Sequence, residues 1–467
     1  MFGSRNRCEL RQLGHQIRSC HRRAGLPLMH HCMDNRSIDH WTHLQHLLTV
    51  AAMTNDTATA SSNRRSTGLL VPTDPRYRRA MVALFSAGVS VFLLLYVTQG
   101  LLPQLASGLH VTPVIASLTI SATTAGVAIG LIPMSSLSEI VGRVPVMTAS
   151  IFTAAAIGVL LPLSPNAWWL ISLRAVQGLA LAGLPATAMA YLADRVDPRY
   201  TTAAIGIYLS GNSIGGLGSR FLAGMVSEYA GWRIALGVLG FTSMACAVVF
   251  RLLIPGEGAR PEQRLTPRAL VRTLGLHLRN PLLLRLYLLG ALFMVVFGAV
   301  YTVLGFRLEA DPFGLTEGAV GAFFLIYLVG TVISPRVGRV AGKIGVNRTL
   351  LAGAVLAAVG TVVTRADSLV SIAIGLSIVT AGFFTGHVVA SASASSSVST
   401  ARAQASALYL TVYYVANSVG ATVATATFHS HGWNGVTVLC LCCMALAAIV
   451  ALTLPRKVRP TENEDLS

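Results

Sequence analysis

From Arg79 onward the chain is written as long apolar runs separated by short polar stretches, and this pattern leaves little choice of fold. A helix needs about 20 mostly apolar residues to cross the hydrocarbon core of a bilayer. Twelve runs meet that length: 80–105, 112–135, 144–163, 167–192, 202–227, 232–254, 282–306, 316–335, 348–365, 368–393, 403–427 and 433–455. In lipid, each run must satisfy its own backbone hydrogen bonds, so each is read as a helix. Composition agrees: 53% of the 467 residues are hydrophobic and 11% are charged, where a soluble domain carries about 25% charged residues.

The formal charge of +17 would suggest a nucleic-acid partner in a soluble chain. Here the basic residues sit between apolar runs, so no nucleic acid is expected and the bilayer is the partner. One set of loops holds Arg76, Arg78 and Arg79, then Arg143, then Arg195 and Arg199; it continues through the 255–281 stretch to Arg336, Arg339 and Lys343. The alternate set is nearly bare, with only Arg233, Arg307 and Arg365 at its edges. The positive-inside rule then places both termini and the 255–281 loop in the cytoplasm. The expected organisation is a leader over 1–75, a six-helix half over 76–254, a cytoplasmic loop over 255–281, a second half over 282–455 and a tail over 456–467. Within the loop, Ala269-Leu-Val-Arg-Thr-Leu-Gly-Leu276 has the pattern of an interfacial amphipathic helix. The expected location is the cytoplasmic (inner) membrane, crossed many times, with the chain a monomer.

Residues 1–75 contain no apolar run long enough to span. The stretch from Met53, MTNDTATASSNRRST, has the composition of a disordered leader. We read Met53 as a start of translation, with 1–52 a start-site artefact. Cys8, Cys20 and Cys32 lie near histidines in that stretch, but their spacing matches no zinc pattern. No metal or other cofactor is expected.

The chain repeats itself. Gly211-Asn-Ser-Ile-Gly215 in span 5 is echoed by Ala416-Asn-Ser-Val-Gly420 in span 11, so Asn417 follows Asn212 by 205 residues. Gly142 after span 2 is matched by Gly345 after span 8, and Gly231-Trp232 before span 6 by Gly432-Trp433 before span 12. Three landmarks in one order point to duplication, so the fold class is an all-α integral membrane protein of twelve transmembrane helices in two six-helix pseudo-repeats. Such repeats are built to rock around a midplane site. Over about 80–455 the chain resembles the major facilitator superfamily, and most of all its twelve-helix efflux branch of drug:proton antiporters and arabinose-efflux-like permeases. The family's loop 2–3 motif, Gly-x-x-x-Asp-Arg-x-Gly-Arg-Arg, appears with Glu139, Gly142 and Arg143, while Ser135 and Ile140 replace its first glycine and first arginine. The span 4 signature Arg-x-x-Gln-Gly is intact at Arg174, Gln177 and Gly178. The antiporter signature Gly-Pro-x-x-Gly-Gly appears at Gly211, Gly215 and Gly216, with Asn212 in place of proline.

The resemblance implies that Arg174 serves proton coupling and that Glu139 braces the start of span 11 as a cytoplasmic gate. Read from the residues, Arg174 is an ionisable group inside a span, which is costly and usually functional. Arg143 can pair with Asp194 in the same gate. Arg220 is a weaker second intramembrane cation, near the outer end of span 5. Gly211, Gly215 and Gly420 follow the small-x-x-x-small pattern of close helix packing, and Gly178 and Gly216 join them. These glycines either only pack or form sliding contacts between the halves. Asn212 and Asn417 either face a central cavity or hydrogen-bond across helices. Gln99, Gln177 and Tyr413 are further polar groups for a cavity. His387 is the histidine well inside a span, read either as a hydrogen-bonded structural residue or as a proton carrier.

No Asp or Glu lies deep in any span. With Arg174 in a span, the expected substrate is therefore a small neutral or anionic molecule, and the resemblance implies proton-coupled secondary export, with protons as the coupling ion. Import, or a transport-inactive sensor on the same fold, is the alternative. There is no phosphate-binding loop, HExxH or nucleophile constellation, so the chain is not expected to be an enzyme. Strong uptake of a quaternary ammonium dye would refute the substrate class, and tryptic peptides from 1–52 in the mass spectrum of the native protein would refute the start at Met53.

Overall fold

A computed structural model describes residues 69–256, 267–398 and 402–455. The start at Met53, most of the leader, residues 257–266 of the 255–281 loop, and the 456–467 tail lie outside the described residues. The described chain is helical, apart from one isolated bridge between Leu70 and Val196.

Helix α1 (Pro75–Tyr96) leads through a 3-10 turn at Val97–Leu101 into α2 (Leu102–Gly108). Next come α3 (Pro113–Val141), α4 (Arg143–Leu160), α5 (Ala167–Leu181), α6 (Pro185–Arg195) and α7 (Pro198–Leu253). Helix α8 (Pro267–Arg279) covers the amphipathic stretch and is followed by α9 (Pro281–Glu309). The second half continues with α10 (Glu317–Phe323), α11 (Leu328–Ile344), α12 (Val346–Val363), α13 (Leu369–Ser396) and α14 (Arg402–Leu452). Many helices open with proline, whose missing N–H is not needed in the first turn. Asp74, Thr112, Asp197, Asn280 and Thr316 cap the backbone N–H groups that follow them. Side-chain and backbone hydrogen bonds from Arg76 hold the Asp74 carboxyl below its ordinary range.

Ten stretches are long and apolar enough to cross a membrane. Two of them hold a second crossing. As one rod, the 56 residues of α7 would be about 84 Å long, far more than a bilayer. Gly231 breaks it with φ 80°, and Gly432 breaks α14 with φ 61°. Gly142 (φ 118°) and Gly345 (φ 93°) are the single residues between α3 and α4 and between α11 and α12. A Cβ disfavours all four conformations. The repeated glycines of the sequence are thus the repeated corners of the fold, and the ten stretches carry twelve crossings.

We call the side bearing Leu69, Asp194 and Pro455 the near face, and the opposite side the far face. Each half has its own apolar core, one built around α9 and α12–α14, the other around α1, α3, α4 and α7. The repeated phrases sit inside these cores. A methyl on Gly211 or Gly215 would overlap the carbonyls of Phe85 or Val89 on α1, and one on Gly420 would press on Val295 of α9. These glycines pack against helices of their own half, since their neighbours belong to the same repeat. The two asparagines play matching parts. Asn212 Oδ1 fills the space left by Gly88, and Asn417 Oδ1 the space left by Gly298. Gly178 packs on Thr123, and Gly216 makes only ordinary contacts.

The halves meet along two seams. At the α3–α14 seam, Ser121 Oγ donates to the Ser418 carbonyl and Ser418 Oγ donates to that of Ser121, both at 2.8 Å. At the α7–α10 seam, Gly224 lies against the backbone of Glu317 and Gly321. Toward the near face, a Cβ on Gly206 of α7 or on Gly338 or Gly342 of α11 would meet no atom within 4 Å.

Close approach at Gly178 and open space at Gly206 make contrasting variants. Gly178→Ala should cost about 1–3 kcal/mol through overpacking, seen as a lower melting temperature in detergent. Gly206→Ala should change stability by less than about 0.5 kcal/mol.

Candidate functional site

The two intramembrane arginines of the first half have different surroundings. Arg174 on α5 is fully buried. Its Nε donates to Thr119 O at 3.2 Å, Nη1 to Leu94 O at 2.6 Å and Nη2 to Leu95 O at 2.8 Å. Nη1 also meets Gln177 Oε1 at 2.6 Å, and Gln177 Nε2 donates to Ala154 O. The reason lies in α1, which changes to a 3-10 turn at Val97. The carbonyls just before that change lose their regular partners, and the Arg174 fork supplies donors to them. Arg174 is therefore enclosed within the first half and does not reach the seam.

Arg220 does. It stands on α7 eleven residues, about 16 Å, below the break at Gly231, and it is 1% exposed. Its guanidinium carbon lies 4.1 Å from the ring centre of Tyr96 on α1. The rings of Phe324 and Tyr327, from the second half, are 5.7 Å and 5.5 Å away. Nε donates to Gln99 Oε1 at 2.7 Å and Nη1 to the Gly216 carbonyl. Nη2 has no acceptor among the described residues. The ion pairs among those residues are Arg76–Asp74, Arg143–Asp194 and Arg307–Asp367, and none involves Arg220.

Around Arg220, the second half contributes a continuous set of rings. Phe297 stacks on Phe383 at 4.0 Å and meets Tyr327 edge-on at 5.6 Å. Phe383 stacks on His387 at 5.4 Å, and His387 lies 4.8 Å from Tyr413. Tyr327, Phe384, His387 and Tyr413 are half-buried. His387 Nδ1 and the Tyr409 hydroxyl are 3.0 Å apart. Tyr409 itself nests over Gly290, and Phe384 over Gly330. Glycines on α9 and α11 thus admit the rings.

Polar bridges close the far face above this cluster. Gln99 Nε2 donates to Thr302 Oγ1 at 3.1 Å, linking α1 to α9 across the halves. One turn outward, Gln104 Nε2 donates to Glu309 Oε1 at 2.9 Å. Glu228 Oε2 accepts from the Gly318 backbone at 2.8 Å. On the near face, Arg143 and Asp194 pair at 2.6 Å. Glu139 borders a small cleft with Gln404 and Ala407, in the first turns of α14.

A family model described as the Major Facilitator Superfamily matches residues 84–421, and again 308–466. The chain belongs to the major facilitator superfamily. Among curated relatives, an uncharacterised MFS-type transporter of Bacillus subtilis, YybF, is 34% identical over 396 residues, covering 84% of this chain and 97% of that protein. The inner membrane transport protein YnfM of Escherichia coli is 34% identical over 384 residues, covering 82% and 92%. Solved structures show the same fold. A bacterial homologue of the human lysosomal transporter Spinster, inward-facing and occupied, superposes with a TM-score of 0.64 at 16% identity, over 81% of this chain and 96% of that one. A POT family transporter does so at 0.67 and 14%, over 80% and 95%. The chain is a multi-pass membrane transporter of this superfamily.

The structure brings Gln99, His387 and Tyr413 of the expected cavity residues to the central seam. Arg174, Gln177, Asn212 and Asn417 lie inside the halves. Sequence reasoning underweighted Arg220, whose signal was a cation one turn after Gly216 in an apolar span, and it missed Thr302 and the rings of Phe297 on α9, Tyr327 before α11, and Phe383 and Phe384 on α13. The analysis of Arg174 makes a stability prediction. Arg174→Gln should leave several buried carbonyls unsatisfied, at about 1–3 kcal/mol each. The melting temperature in detergent should fall sharply, and Arg174→Lys, which lacks the fork, should recover only part of the loss.

Proposed function

We propose that this transporter exports a small neutral or anionic molecule across the inner membrane by alternating access, in exchange for protons. The near face is taken as the cytoplasm, as the basic loops require, and the protein works as a monomer. One observation carries the reading: a buried cation without a carboxylate partner among the described residues stands where the halves meet, beneath the polar bridges of the far face. A molecule entering from the cytoplasm would meet Arg220 and the half-buried rings first. Closure of the near face would use Glu139 at the start of α14, with Arg143–Asp194 bracing the loop, and opening of the far face would break the Gln99, Gln104 and Glu228 bridges. Each is a modest contact, suited to two states of similar free energy.

The proton site is assigned to His387 with Tyr409, the imidazole being the group whose charge changes in the physiological range. The sealed position of Arg174 makes it a positioning residue for α1 in this scheme. Import remains the second direction, since Asn212 stands where the antiporter signature has proline.

Everted vesicles carrying the protein, with an acid interior, test the reading. Neutral, anionic and cationic compounds are screened for dissipation of the pH gradient. Dissipation by a neutral or anionic compound, lost in Arg220→Gln, is expected; dissipation by cations alone overturns the substrate class. His387→Gln should make the remaining transport independent of pH or abolish it, and an unchanged pH profile would remove His387 from the proton path.

A further inference from the structure

Arg220 holds two things at once. Its Nε–H fixes the amide of Gln99 at 2.7 Å, and that amide reaches Thr302 in the other half at 3.1 Å. Because arginine only donates, the oxygen of Gln99 must face it, and the NH2 group must face Thr302. The guanidinium therefore orients the innermost bridge of the far-face closure. Its Nη2 has no acceptor among the described residues, and no carboxylate there pairs with it. A desolvated cation in this setting gains most from a carboxylate, bound through two parallel N–H groups. The Nε/Nη2 edge offers such a fork, and half of that edge is what Gln99 occupies. Tyr327 lies 5.5 Å from the guanidinium and belongs with Phe384 to the same half-buried ring cluster, and such rings suit a flat apolar body.

We propose that the central site binds aromatic monocarboxylates through Arg220, and that the carboxylate displaces Gln99 and so releases the Gln99–Thr302 bridge. Binding and unlocking of the far face are then one event. The bound anion neutralises Arg220, and its ring takes the place of water against the aromatic wall. This deepens the export reading and rests on it for direction only; the binding step stands without it.

The test uses the full chain in lipid nanodiscs with benzoate, its neutral analogue benzamide and the cation benzyltrimethylammonium. Benzoate is expected to bind and raise the melting temperature, while benzamide and the cation bind about tenfold or more weakly, as loss of a charge-assisted contact implies. Arg220→Gln should lower benzoate affinity by a similar factor, and Arg220→Lys by less. Equal binding of benzoate and benzamide by the wild type overturns the proposal without needing any variant to fold. For the bridge, spin labels at Ser107 and Asp311, exposed at the far ends of α2 and α9, report the gap in a background lacking native cysteines. Benzoate should add longer distances, and Gln99→Ala should add them without ligand; an unchanged distance distribution with saturating benzoate overturns the coupling. Proton flux in everted vesicles is scored separately. Benzoate binding without flux defeats export and leaves this site standing, and flux with other compounds without benzoate binding does the reverse.

Discussion

In a bilayer a backbone carbonyl cannot turn to water, so every place where a helix is interrupted must be given a donor by the protein itself. Much of this structure follows from that. Helix α1 gives up its regular ladder at Val97, and Arg174 supplies donors to Leu94 and Leu95. The end of α12 is treated the same way, with Arg307 donating to the carbonyls of Thr364 and Ala366. The turn after α4 receives Arg233 at Pro162 and Ser164. The cost of burying a cation is accepted where it satisfies several carbonyls together. Arg220 is the exception, because its Nη2 has no acceptor among the described residues, and the proposed binding uses that surplus.

Close packing sets the rest. Glycines let α1 approach α7 and let α9 approach α14, so each half behaves as a block with a dry interior. The polar contacts between the halves include a serine pair at α3–α14, and Gln99, Gln104 and Glu228 at the far face. Such bridges can be exchanged at small cost, whereas interlocked cores cannot. A rigid half carrying an arginine on its inner surface, facing a half that carries aromatic rings, is a natural division between charge recognition and shape recognition.

The two copies have diverged around this plan. Both keep the corner glycines and the glycine–asparagine pairing. The acid of the near-face loop, Glu139, has only Gly342 at the corresponding place in the second copy. Arg220 lies in the first copy and the ring cluster in the second, so the proposed site is asymmetric although the scaffold is nearly symmetric.

The sequence by itself determined the number of crossings, the corners and the duplication, because run length, charge between runs and glycine at positive φ are local properties that lipid enforces residue by residue. It also determined that Arg143 had an acid, Asp194, within reach at the end of the neighbouring span. It did not separate Arg174 from Arg220. Both are cations in apolar helices, and the matched motif drew attention to the one whose donors are consumed by backbone. Nor did it place Asn212 and Asn417, since a polar residue in a span looks the same whether it faces a cavity or fills a notch opposite glycine. Those choices depend on which side of each helix meets the other half. That is fixed only when α1, α7, α9 and α10 pack together and leave Nη2 of Arg220 with no acceptor among the described residues.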